Sequence, residues 1–135
     1  MAEGAGTAES PWLLSTPPGS SQYTAYRTGT GEEELLVVTV GTTVLTYAGR
    51  CVPDLHAMLL ERGDWVELGS ADEGKEPKPD TVEAWGRSPD NPVGGWYGLK
   101  KGLRGRFGMY IPPLMEKLGL AEVTHDAKGN KMSAI

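Results

Sequence analysis

The chain has 135 residues, 39% hydrophobic and 23% charged, a balance that suits one soluble globular domain with a core of its own. Nineteen Gly and ten Pro exclude a long-helix bundle, and a single cysteine, Cys51, excludes an internal disulfide. The net charge of −5 is unevenly spread: residues 1–95 hold 6 basic and 15 acidic residues (−9), and residues 96–135 hold 7 and 3 (+4). Such a division implies either an oriented electrostatic surface or two halves that attract each other within the fold.

In chain order, residues 1–9 are small and acidic and are expected to form a disordered tail, with no basic residue or apolar run to mark a secretory signal. No apolar stretch reaches membrane-spanning length, so a cytoplasmic protein without membrane contact is expected. Trp12, Leu13, Tyr23 and Tyr26 anchor the segment that follows, and Pro18-Gly19 marks a tight turn within it. "LLVVTVGTTVLTY" (35–47) reads as two strands around Gly41-Thr42, with glycine first, as a type II′ hairpin requires. That register sets Val40 against Thr43, Val38 against Leu45 and Leu36 against Tyr47, giving an apolar face that must be covered.

"VPDLHAMLLERG" (52–63) predicts a short helix with Pro53 in its first turn, a Leu55/Met58/Leu59 stripe and Gly63 as its stop. Residues 64–68 suit a short strand, and 69–80 a charged surface loop. Thr81 is placed to cap a one-turn helix ending at Trp85. Leu99, Leu103 and Phe107 recur every four residues, which predicts a helix with Lys100, Lys101 and Arg104 off its apolar stripe. Pro112-Pro113 should end that helix and begin another through Leu118. "AEVTH", "DAKGN" and "KMSAI" then read as strand, turn and strand.

Within the basic helix, Gly102, Gly105 and Gly108 would each cost about 1 kcal/mol relative to alanine. Either close packing of another backbone or of a ring such as Trp85, Trp96 or Tyr97, or the approach of a ligand or nucleic-acid backbone, would offset that cost. From residue 81 the order of short helix, turn, basic helix, helix ending in Leu-Gly-Leu and hairpin resembles a winged-helix arrangement. The resemblance is carried by "LMEKLGLAEVTHDAKGNKMSAI" (114–135) and implies a wing tip at Asp126–Asn130. "DLHAMLLERGDWVELGSADE", "TVEAWGRSPDNPVGGWYGLKKGLRGRFG" and "GLAEVTHD" resemble an uncharacterised family of short actinobacterial proteins, which implies no activity.

The fold expected is α+β: one domain over 10–135, an N-terminal hairpin packed on a winged-helix-like half at 81–135. The function expected is noncatalytic nucleic-acid binding or regulation, with Lys100, Lys101, Arg104, Arg106, Lys128 and Lys131 on phosphates. Only Glu116 and Lys117 are polar in 112–118, too few for base-specific reading, so such binding would be weakly specific. The alternative is a protein-interaction module that meets an acidic partner through the same residues. Cys51 and His56 lack a third orienting group for nucleophilic catalysis, and His125 reads as a solvated turn residue. Two His and one Cys do not make a zinc site, and neither a metal nor a cofactor is expected. Glu73-Gly74-Lys75 with Asp64 would serve a metal-dependent nuclease only if the two carboxylates converged. "GLRG" (102–105) matches the GxxG clamp of KH domains but lacks the sheet context that clamp needs.

Overall fold

A computed structural model describes residues 4–135. Four strands, β1 (Trp12–Ser15), β2 (Gln22–Thr28), β3 (Leu35–Val40) and β4 (Thr43–Ala48), form an antiparallel meander in sequence order. The hairpin register is the one the residues imply: Val40 faces Thr43, Val38 faces Leu45 and Leu36 faces Tyr47. Gly41 has φ +62° while Thr42 stays at negative φ, the pattern of a type II′ turn. Alternation then sends Trp12, Leu14, Tyr23, Ala25, Leu36 and Val38 to the buried face.

Helix α1 (Cys51–Arg62) buries Leu55 and Leu59, and left-handed Gly63 closes it through its N–H to the Leu59 carbonyl. Strand β5 (Val66–Glu67) joins β7 (Lys131–Ala134), which also pairs with β6 (Ala121–Val123), giving a second, three-stranded sheet in the order β5-β7-β6. The one-turn helix α2 (Val82–Trp85) is capped by Thr81, whose hydroxyl accepts from Ala84 N–H at 3.1 Å. Helix α3 (Phe107–Lys117) lies against the inner face of the first sheet and buries Phe107, Ile111, Leu114 and Met115. The architecture is α+β, as expected.

Two expectations for the C-terminal half are corrected. No helix covers 99–106; that stretch is an irregular turn, and Leu99 is exposed beside β4. The helix begins at Phe107 and runs straight through Pro112-Pro113, which were expected to divide it. Proline in a helix interior costs about 3 kcal/mol, offset here by the burial of both prolines with the four large apolar residues around them. Segment 81–135 therefore holds one short helix, one long helix and a hairpin that shares its sheet with β5.

Of the segment expected to be a tail, residues 1–3 lie outside the described residues. Residues 4–9 turn back on Ser10, and the Gly6 carbonyl accepts from Arg27 N–H at 2.9 Å.

Candidate functional site

The 98–106 turn is shaped by a carboxylate that lies some thirty residues earlier in the chain. Glu73 accepts from Gly102 N–H (2.9 Å), Arg104 N–H (2.8 Å) and the Arg104 guanidinium (2.9 Å). The guanidinium first, then the two amides, holds the Glu73 carboxyl down to about 2. Asp72, next to it, accepts from Arg106 Nε at 2.7 Å. Backbone contact adds to this, since Arg106 N–H donates to the Ala71 carbonyl at 2.9 Å.

The 71–75 loop is itself fixed from below. Arg87 donates to the carbonyls of Ala71 (3.0 Å) and Lys75 (3.0 Å) and to the fully buried Glu83 carboxylate (2.5 Å). The other Glu83 oxygen accepts from Gly108 N–H at 2.8 Å, satisfying one of the free donors at the start of α3. Arg87 and Arg104 both lie 4.4 Å from the centroid of the Trp96 ring. Each has a buried Nε without a hydrogen-bond partner, and the π-face offers compensating attraction. From the sheet side, Tyr47 donates to the Gly105 carbonyl (2.9 Å) and Tyr23 to the Tyr110 carbonyl (2.6 Å). The turn is thus held on three sides.

The glycines in this stretch allow that closeness. A Cβ on Gly105 would sit 2.5 Å from Glu73 N, and one on Gly108 would sit 2.5 Å from the Leu68 carbonyl oxygen. Gly105 and Gly108 thus serve close packing, against the backbone of the 68–73 segment where a backbone or a ring was expected, whereas Gly102 has open space around it and a φ of +92°.

The six cations predicted to form one surface fall into two groups. Arg104 and Arg106 are ion-paired with Glu73 and Asp72. Lys100 and Lys101 are exposed on the same turn, and no ion pair engages them among the described residues. Lys128 and Lys131 belong to the β6–β7 hairpin, where Lys131 stands opposite Glu67. Asn130 braces that hairpin's turn by accepting from Asp126 N–H (2.6 Å) and donating to the Asp126 carbonyl (2.9 Å).

The remaining candidates separate. Asp64 bonds the amide of Trp65 and lines a cleft with Lys78 and Asp80, whereas Glu73 lines a different one, so the two carboxylates do not converge. Among the described residues no group of three His, Cys, Asp or Glu could hold a metal ion. Cys51 is fully buried, which raises its thiol pKa far above the usual range, and among the described residues His56 reaches only the Ile135 carbonyl, at 3.4 Å. His125 is not simply solvated: its two ring nitrogens meet the Pro17 carbonyl (2.9 Å) and the Glu116 carboxylate (2.7 Å).

The outer face of the first sheet was not among the expected sites. Leu13, Thr24, Thr39 and Val44 form one row across the four strands, and Tyr26, Val37 and Thr46 form the next. Leu99 extends the second row by donating its N–H to the Thr46 carbonyl at 2.9 Å. No residue in these rows is charged, and Leu13 (50%), Val44 (47%) and Leu99 (53%) are solvent-exposed. The signal was available in the hairpin, where the positions alternating with the buried ones are Leu35, Val37, Thr39 and Val44.

A family model, described as "Family of unknown function (DUF6855)", matches residues 4–135, and the chain belongs to that family. No curated protein and no solved structure matches it. Among the described residues no helix is long and apolar enough to cross a membrane.

Proposed function

We propose that this member of a family of unknown function is a protein-interaction module. It meets its partner on the outer face of the first sheet, along the edge that Lys100 and Lys101 border. The supporting observation is the uncharged face itself, with Leu13, Val44 and Leu99 open to solvent in a chain of net charge −5. The face mixes Leu13, Val37, Val44 and Leu99 with Thr24, Thr39, Thr46 and Tyr26, and depletion of charge at the centre is a compositional mark of protein interfaces. The partner that fits has an apolar centre and an acidic margin facing the two lysines.

A photo-crosslinking residue placed at Val44 or at Leu99 tests this, with exposed Leu60 on α1 as the control position. A protein adduct from the first two positions and none from the third is expected, lost in Lys100→Glu/Lys101→Glu. Equal adducts from all three positions, or none from any, would overturn it.

A second reading, nucleic-acid binding, is supported by the exposure of Lys100, Lys101, Lys128 and Lys131. Four phosphate contacts predict weakly specific binding with a log–log salt slope of about −3 to −4. Absence of retention on DNA or RNA at low salt would reject it.

A further inference from the structure

A cleft of about 610 Å³ opens between the end of the first sheet and the segments 72–74 and 102–106. That size is within the range of small-ligand sites. The cleft is distinct from the outer face, because Val40, Thr43 and Leu45 belong to the face that turns toward the core. Val40, Leu45, Leu103 and the ring of Tyr110 supply apolar wall, and two ion pairs supply charge.

Those two pairs are not equivalent. Arg104 is closed off, with its backbone and guanidinium both committed to Glu73 and its head over Trp96. Arg106 is open. Its side chain is 46% exposed, and Asp72 engages it through Nε alone. Among the described residues no partner engages either terminal amino group of the guanidinium, and the two can donate to a carboxylate bidentately. The backbone at Arg106 is left-handed (φ 61°, ψ 28°), a conformation costly for a residue with a Cβ. Asp80 is the other non-glycine residue with positive φ among those described. Strain of this kind persists where the surroundings dictate a side chain's position. Here the Ala71 carbonyl fixes the Arg106 backbone and Asp72 fixes its head. One turn later, Tyr110 lines the same cleft, and its hydroxyl makes no hydrogen bond among the described residues.

Charge selects among anions. Asp72 and Glu73 balance Arg104 and Arg106, so the cleft is formally neutral before a ligand arrives. A monoanion gains the open fork of Arg106 at limited repulsion, whereas a dianion meets the Asp72 carboxylate 2.7 Å from the same guanidinium with twice the charge.

We infer that the cleft binds a monocarboxylate with an aliphatic or aromatic body. The carboxylate sits on the terminal amino groups of Arg106, and the body lies against Val40, Leu45, Leu103 and Tyr110.

Titration of the full chain with octanoate, 4-phenylbutyrate and octyl phosphate, followed by amide NMR, tests the inference. Both carboxylates are expected to shift the amides of Gly102, Gly105 and Tyr110 saturably, with octyl phosphate binding several-fold more weakly. Arg106→Gly keeps the left-handed backbone available while removing the guanidinium. It should weaken octanoate by about tenfold or more, the loss typical of a charge-assisted hydrogen bond. Leu103→Asp leaves Arg106 intact and should weaken octanoate as well. Unchanged Val123 and Met132 amides in each variant report an intact second sheet. No saturable shift with either carboxylate at millimolar concentration, undiminished binding by Arg106→Gly, or octyl phosphate binding as tightly would each overturn the inference. None of these results bears on crosslinking from Val44 and Leu99, which stands or falls by itself.

Discussion

Replacing Glu83 with glutamine should be among the most damaging single changes available to this chain. Glu83 is fully buried, and one of its oxygens pairs with Arg87, whose side chain is only 10% exposed. The substitution preserves shape and still offers Gly108 N–H an acceptor, so it isolates the loss of charge opposite a buried guanidinium. Breaking one half of a buried ion pair costs about 3–5 kcal/mol, because the remaining charge is left without compensation. The retained amide hydrogen bond puts Glu83→Gln near the lower end, about 3 kcal/mol. Glu83→Ala also orphans the Gly108 donor and should cost about 1–3 kcal/mol more. Against a total of about 5–15 kcal/mol, the first loss is large and the second threatens folding. Urea denaturation monitored by circular dichroism measures both, with the midpoint falling and the slope unchanged. A Glu83→Gln variant within about 1 kcal/mol of the parent would refute the claim that this pair is desolvated and anchors the 71–75 loop.

Glu73 has a folded pKa of about 2, below the ordinary carboxylate value, so its contribution is complete above the unfolded pKa and disappears as pH falls toward 2. Glu73→Gln should flatten that part of the acid limb in a stability–pH titration. For His125 the sign is reversed: Glu116 first, then the Pro17 carbonyl, raises its pKa, so the stabilisation is full below the unfolded value and is lost as pH rises through the folded one. His125→Gln should remove that near-neutral step in thermal melts across pH. Gly108→Ala forces a Cβ to within 2.5 Å of the Leu68 carbonyl and should destabilise by about 2 kcal/mol or more, whereas Gly74→Ala meets open space and should be near neutral. Chemical denaturation of the two alanine variants side by side checks the contrast.

Local chemistry was legible. The β3–β4 register followed from alternation and from glycine at the first turn position, and α1 followed from its stripe, Pro53 and Gly63. The Thr81 cap was equally local. What misled was a coincidence of spacing: Leu99, Leu103 and Phe107 are four apart, yet one lies exposed by a strand edge, one lines a turn and one opens α3. The determinant of that turn is Glu73, which reaches Gly102 and Arg104 across 29 and 31 residues, and no short window contains such a partnership. The same distance hid the fate of the cations. Arg104 and Arg106 are positive in composition, but Glu73 and Asp72 had already engaged them. Pro112-Pro113 misled for a different reason, because burial of α3 outweighs a local rule about helix interiors.

The outer-face partner and the cleft ligand both require that residues 99–106 form a fixed, non-helical turn pinned by Glu73. Amide hydrogen exchange and Cα chemical shifts over this stretch measure that directly. Non-helical shifts are expected, with the Gly102 and Arg104 amides protected in the parent and exposed in Glu73→Gln. Helical shifts from Leu99 to Phe107, or free exchange at both amides in the parent, would contradict it.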